Sequence, residues 1–275
     1  GECGVNVNWV MTGDGTLTIS GTGRISNYGE YQDTAPWASC SAYVKSIVIE
    51  SGVTAIGSCA FYHCRNAASA TIPNTVTAIG EGAFKYCEGL TSIIIPDSVK
   101  MIGDSAFADC TALVSVTIPD SVTSISGRAF SSCTSLKNIT IPNGVTIIDE
   151  STFYGCTGLT SVTIPDSVTK IGWSAFFRCS SLESIDLPSG VTSIDFGAFS
   201  GCTSLKNITI PNGVTFINES TFCGCTGLTS VTIPDSVKMI SSSAFSGCTG
   251  LTSINIPNGV TSLGSRAFEN CTALT

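Results

Sequence analysis

Histidine occurs once in this 275-residue chain, at His63. Imidazole acid/base chemistry and His-ligated metal therefore have at most one residue to draw on. Charge is scarce too: Asp, Glu, Lys and Arg make up 12% of the chain, about half the usual share. The 12 Lys+Arg against 20 Asp+Glu leave a formal charge of -8 and a pI near 4.5. Such a surface repels phosphate backbones and excludes nucleic acid as a partner. No apolar run approaches the roughly 18 residues a membrane-spanning helix needs, so direct membrane insertion is not expected. Calcium-loop spacing and a phosphate-binding glycine loop are missing as well, since Gly21-Thr22-Gly23 reads as a turn. The chain opens on Gly1-Glu2-Cys3 without a methionine, so an export signal is presumed removed.

What the chain does contain is cysteine, 14 of them. Ten fall at a constant step of 23 from Cys64 to Cys271. Ten of the 13 phenylalanines keep the same step from Phe61 to Phe268, and nine of the ten prolines do so from Pro73 to Pro257. Three independent ladders with one period define a structural repeat.

The repeat explains itself physically. In Leu159 to Pro165, inward Val162 and Ile164 alternate with outward Ser161 and Thr163, which is a short strand with one face buried. Pro165 lacks an N–H and ends it. Asp166-Ser167 turn the chain, and Val168 and Ile171, three apart, point inward again. The run Ser174 to Cys179 reads as a helical or 3-10 turn that places Phe176 and Cys179 inside. A 23-residue coil cannot bury a core alone, so the coils must stack into a solenoid with one parallel strand per coil. At ~4.8 Å per strand, some ten coils make a rod roughly 50 Å long.

Residues 133–168 and 202–237 differ only at Ile147/Phe216, Asp149/Asn218 and Tyr154/Cys223, which indicates a three-coil duplication. Residues 1–43 lie off the ladders and read as a β-rich N-terminal cap, with a hairpin around Gly13-Asp14-Gly15 and with Trp9 and Trp37 covering the first coil. Residues 44–275 form the solenoid. It stops at Leu274-Thr275, where another strand is due, so truncation there or further sequence is expected. An uncapped coil also offers a route to end-to-end self-association.

The unit Cys-x-x-Leu-x-x-Val-x-Ile-Pro-x-x-Val-x-x-Ile-x-x-x-Ala-Phe, repeated over residues 44–275, resembles the BspA-like, or Treponema-type, class of leucine-rich repeats. The leading segment from Cys3 to Trp37 is similar to the region that precedes such repeats in proteins of anaerobic bacteria. Departures are Thr152 and Thr221 for Ala, and Ala67 for Leu. The resemblance implies an α/β repeat solenoid of the leucine-rich repeat kind. It also implies an extracellular or cell-surface location, adhesion to an extracellular protein or glycan, no catalytic residues and no cofactor.

Each site that could carry chemistry meets a structural explanation. A linear row of cysteines cannot converge tetrahedrally on a metal, and buried free Cys behaves as a small hydrophobe. Cys3 and Cys40 both belong to the cap, where a bridge between them is open. His63 would be the only base of any nucleophilic triad and sits in a turn. The pair Asp149-Glu150 becomes Asn218-Glu219 in the duplicate, which marks a solvated turn. Two surfaces remain as candidates for binding. One is the outward sheet face: Ser161, Thr163, Ser184, Asp186, Asn207, Thr209, Ser230 and Thr232. The other is a set of aromatics at the tip near Ala-Phe: Tyr62, Tyr86, Tyr154, Trp173 and Phe177, with Phe196 nearby. A non-catalytic binding module is the leading functional reading, and a structural spacer that presents another domain is the alternative.

Reduced, packed thiols make a direct prediction. The ladder cysteines should resist a thiol reagent in the native protein and react on unfolding. Recovery of most of them already oxidised would overturn this reading.

Overall fold

The computed structural model describes residues 1–275. At the N-terminus β1 (Glu2–Gly4), β2 (Val7–Met11) and β3 (Thr16–Gly21) form an antiparallel meander. The β2–β3 turn is fixed by Asp14, whose Oδ1 accepts hydrogen bonds from the Thr12 hydroxyl (2.5 Å) and from Thr16 N–H (3.1 Å). A two-residue β4 (Gly23–Arg24) follows. β5 (Ser46–Ile49) of the first coil then runs parallel to β3, with Leu17 opposite Ile47. β6 (Val53–Ala55) pairs with β4, and β7 (Ser69–Thr71) extends the β5 edge. The meander is thus continuous with the repeat sheet, and both contribute to one core of 74 buried residues.

Most later coils bring two strands, one more than the residue alternation alone indicated; the coils of Ser193–Ile194 and Ser262–Leu263 keep only the second. The three-residue strand pairs in register with the next coil, as Asn138–Thr140 does with Ser161–Thr163 and Asn207–Thr209 with Ser230–Thr232. After the proline turn, a two-residue strand makes a second parallel ladder. Its three longest runs join Ala78–Ile79, Met101–Ile102 and Ser124–Ile125, then Ile147–Ile148, Lys170–Ile171 and Ser193–Ile194, then Phe216–Ile217, Met239–Ile240 and Ser262–Leu263. Every second residue of these short strands is inward: Ile102, Ile148 and Ile171 are buried.

The third side of the coil, where the spacing predicts a helical or 3-10 turn, is built from consecutive tight turns. The one regular helix is the 3-10 segment Ala38–Tyr43. The turns hold two residues per coil in the left-handed region, at positions such as Ser151 and Gly155, or Ser220 and Gly224. This conformation lets the backbone bond to the next coil, as Phe84 N–H does to Ala106 O (2.7 Å) and Phe107 N–H to Ala129 O (2.8 Å). The coils are therefore hydrogen-bonded to each other on all three sides.

The core carries a continuous aromatic stack. From Phe61 to Phe268 the rings follow one another at centroid separations between 5.1 Å and 5.9 Å. Trp37 begins the stack, 5.7 Å from Phe61, with its indole N–H donated to Ala60 O at 2.9 Å. Trp9 meets Trp37 edge to face at 5.7 Å. Ala35-Pro36-Trp37 with Cys40 behind it imitates the Ala-Phe-x-x-Cys of a coil, so the first repeat packs on a close copy of itself. Where Thr152 and Thr221 replace alanine, the buried hydroxyls bond locally to Asp149 O (2.8 Å) and Asn218 O (2.7 Å). On the last coil Ile256 and Leu263, inward residues by position, are exposed.

Truncating one ring tests how far stability rests on the stack. Phe153→Ala should cost about 3–5 kcal/mol by urea unfolding, whereas Ser161→Ala on the outward face should stay within about 0.5 kcal/mol. Gly224 is left-handed with nothing closer than 3.9 Å to an added Cβ, so Gly224→Ala should still cost about 1–2 kcal/mol through the backbone alone.

Candidate functional site

The cysteine row is structural in its bonding as well as its burial. All 14 thiols are free, including Cys3 and Cys40, and Cys40 Sγ donates to Trp37 O at 3.3 Å. From Cys87 onward along the ladder, each Sγ donates to the phenylalanine carbonyl of the preceding coil: Cys87 to Phe61 O at 3.3 Å, Cys156 to Phe130 O at 3.1 Å, Cys202 to Phe176 O at 3.1 Å. That carbonyl also accepts the N–H of the cysteine in its own coil, so both its lone pairs are used. Burial pushes Cys64, Cys156, Cys202 and Cys248 from an ordinary 9.0 to about 12. A neutral, enclosed thiol is a poor nucleophile and a poor metal ligand. No group of three or more His, Cys, Asp or Glu side chains converges as a metal site.

On the sheet face, Ser161, Thr163, Asn207, Thr209, Ser230 and Thr232 lie on strands and are exposed, while Val162, Ile208 and Val231 between them are buried. Ser184 and Asp186 are exposed but do not lie on a strand, which corrects their sequence placement. Coil contact is stretched there: Glu183 N lies 3.5 Å from Thr160 O, against 2.9 Å for Thr160 N to Lys137 O one coil earlier. The face is therefore interrupted, and where it is regular it presents small hydroxyl and amide groups.

The tip aromatics do not form one patch. Tyr62, Tyr86, Tyr154 and Phe177 are half-buried, folded back on neighbouring coils. Tyr62 and Tyr86 meet edge to face at 5.6 Å, with the His63 ring 4.6 Å from Tyr86. Lys85 Nζ lies over both tyrosines and pairs with Glu30 Oε1 at 2.7 Å, joining the N-terminal segment to the second coil. Burial, with the Arg65 guanidinium beside it, holds His63 below its ordinary value. Tyr154 stacks on Phe177 at 4.9 Å, and Arg178 covers the other ring. These contacts use the rings' faces within the protein.

Trp173 belongs elsewhere. It follows the two-residue strand Lys170–Ile171 and stands 61% exposed on the lateral side, beside the second ladder. Phe196, at the equivalent position of the next coil, is 44% exposed, and Phe216 on the strand Phe216–Ile217 is 48% exposed. Acidic groups surround Trp173 and Phe196: Asp149, Glu150, Asp195 and Glu219. Lys170 Nζ pairs with Asp195 Oδ2 at 2.9 Å, and Arg128 pairs with Glu150. Phe216 and Glu219 were missed from the sequence, and Phe196 was given only a place near the tip. Writing the coils in register would have gathered the group, since Glu150, Trp173, Phe196 and Glu219 follow one another at the 23-residue step.

Parallel strands in register, turns on the third side and a ladder of inward leucines define a leucine-rich-repeat solenoid. The model of the BspA type leucine rich repeat region matches residues 37–160 and 146–275, in six copies. The chain belongs to this family. It is similar over 98% of its length to a leucine-rich repeat protein from Bacteroides ovatus, at 28% identity and TM-score 0.75, covering 80% of that chain. A leucine-rich repeat protein from Eubacterium ventriosum shares the fold at 24% identity and TM-score 0.52, covering 98% of this chain and 93% of that one. The pneumococcal vaccine antigen PcpA does so at 17% identity and TM-score 0.59, with 98% and 79% covered. No curated protein matches the sequence. The family match and these structures indicate no enzymatic family.

The buried thiols predict how stability depends on pH. Their pKa values are raised in the fold, so the unfolded chain ionises first. Their contribution is intact below the ordinary 9.0 and is lost as pH rises toward about 12. Each such thiol weighs about 1.4 kcal/mol per pH unit in that window. The melting temperature should therefore fall steeply above the lower bound, and more gently in Cys156→Ser. A flat profile across the window would contradict the burial of neutral thiols.

Proposed function

We propose that this chain is a non-catalytic binding module of a secreted or cell-surface protein, engaging an extracellular protein or glycan. The observation that carries this reading is the exposure of Trp173, Phe196 and Phe216 on a solenoid held by hydrogen bonds on every side. Large aromatics left in water have a cost that a partner removes, and Trp is enriched where binding energy concentrates. Membership of the family supports a surface location. Export fits the cysteines as well, because enclosed thiols with carbonyl partners are shielded from oxidants.

A non-catalytic role is supported by the side chains. The sole histidine is tied to Arg65 and disfavours protonation, and the carboxylates that line the open grooves, Asp149, Glu150, Asp195 and Glu219, are spread over three coils. The sheet face, with its Ser, Thr and Asn, favours the alternative of a spacer holding another domain at a distance.

Immobilised extracellular-matrix proteins and bacterial surface polysaccharides, probed with the purified chain, separate the two readings. A binding module should give saturable binding to at least one of them, weakened in a Trp173→Ala/Phe216→Ala variant of unchanged melting temperature. Uniformly absent binding at the highest soluble concentration would sink the module and leave the spacer.

A further inference from the structure

We propose that the lateral face around Trp173 is a binding site for a neutral oligosaccharide lying along the solenoid axis. This rests on the binding-module reading above and names its ligand class. The indole of Trp173 lines two open grooves. One, of about 520 Å3, is also lined by Asp195, Phe196, Asn218 and Glu219. The other, of about 280 Å3, includes Asp149, Glu150 and Lys170.

The chemistry of these walls suits a sugar ring. A pyranose has C–H faces that lie on the electron-rich face of an aromatic ring, and a rim of hydroxyls that need acceptors and donors. Glu219 has no ion pair or side-chain hydrogen bond within the protein and is free to accept. Asn218 spends one amide hydrogen on Ile194 O at 2.8 Å, which orients the group and leaves its oxygen available.

Charge selects among glycans. The cation in the smaller groove, Lys170, is paired with Asp195 at 2.9 Å, and Asp149, Glu150 and Glu219 surround the aromatics. Sulfated, phosphorylated or uronic ligands would meet repulsion here, whereas neutral sugars would not. Spacing suits an extended chain as well. Parallel strands repeat at ~4.8 Å, close to the length of one pyranose unit, so Glu150, Trp173, Phe196 and Glu219 offer about one contact per sugar.

The duplicated coils supply an independent observation. Two of the three differences between them, Ile147/Phe216 and Asp149/Asn218, fall on this lateral face. The second copy is the one that lines the larger groove, through Asn218. Three coils after Trp173, just past the duplicated block, the equivalent position is Ser242. Two nearly identical blocks thus present different lateral surfaces around an unchanged core.

Affinity electrophoresis in gels containing neutral β-glucan, xylan or mannan tests the site, with heparin and pectin as anionic comparisons and a matrix-protein binding assay in parallel. Retardation by at least one neutral polysaccharide is expected, insensitive to salt, with a matching change in tryptophan fluorescence from the exposed Trp173. Trp173→Ala should weaken it tenfold or more and Glu219→Gln several-fold, while Trp173→Phe retains most of it. Unchanged melting temperatures control for folding. Equal binding by Trp173→Ala, or a preference for heparin, would overturn the proposal. Binding to a matrix protein with every neutral glycan silent would overturn it and leave the binding module standing. Silence toward both would remove the module too.

Discussion

Every other feature of this molecule depends on the inability of a 23-residue coil to satisfy itself. One coil buries almost nothing alone, and its turns leave N–H and carbonyl groups without partners inside the coil. Stacking resolves both demands in one step. The phenylalanine rings lie 5.1–5.9 Å apart down the core, and the carbonyl behind each ring takes one hydrogen bond from its own coil and one from the thiol of the next. Cysteine suits that position because it is small, tolerates burial and still donates a proton. A serine would be costlier to desolvate, and a valine would have nothing to donate.

That arrangement frees the surface. With the core fixed by Leu, Ile, Phe and Cys at constant positions, outward residues can change from coil to coil without altering the fold. The sheet face stays plain, with Ser, Thr and Asn. The lateral face changes character along the rod, from Met101 and Asp104 through Lys170 and Trp173 to Phe216 and Glu219. A short second ladder is what makes this possible. Two residues suffice to hold the register, and the positions on either side of the buried isoleucine are released to solvent.

Much of the architecture was legible in the sequence because it is periodic. The Cys, Phe and Pro ladders implied stacked coils, and the alternation around Val162 and Ile164 placed the first strand and its faces. Trp37 stood out by its break from the repeat. The second ladder left no comparable trace, since a two-residue strand such as Lys170–Ile171 is too short to show alternation. On the third side the three-residue spacing of Phe176 and Cys179 is compatible with a helical or 3-10 turn, and consecutive tight turns produce it equally well. Left-handed residues such as Ser151 and Arg178 give no sequence warning, because neighbouring coils hold them there through backbone bonds.

The sequence by itself determined the repeat, the inward rows and the packing role of the ten ladder cysteines, since each follows from the constant step of 23. Tertiary structure alone decided which outward residues act together. Tyr62, Tyr86, Tyr154 and Phe177 turned inward on their neighbours, whereas Trp173 and Phe196 assembled with carboxylates from other coils on one side of the rod. Residues 23 and 46 positions apart become neighbours only when coils are laid on one another. Whether a ring meets water or another ring then depends on the side chain one coil away.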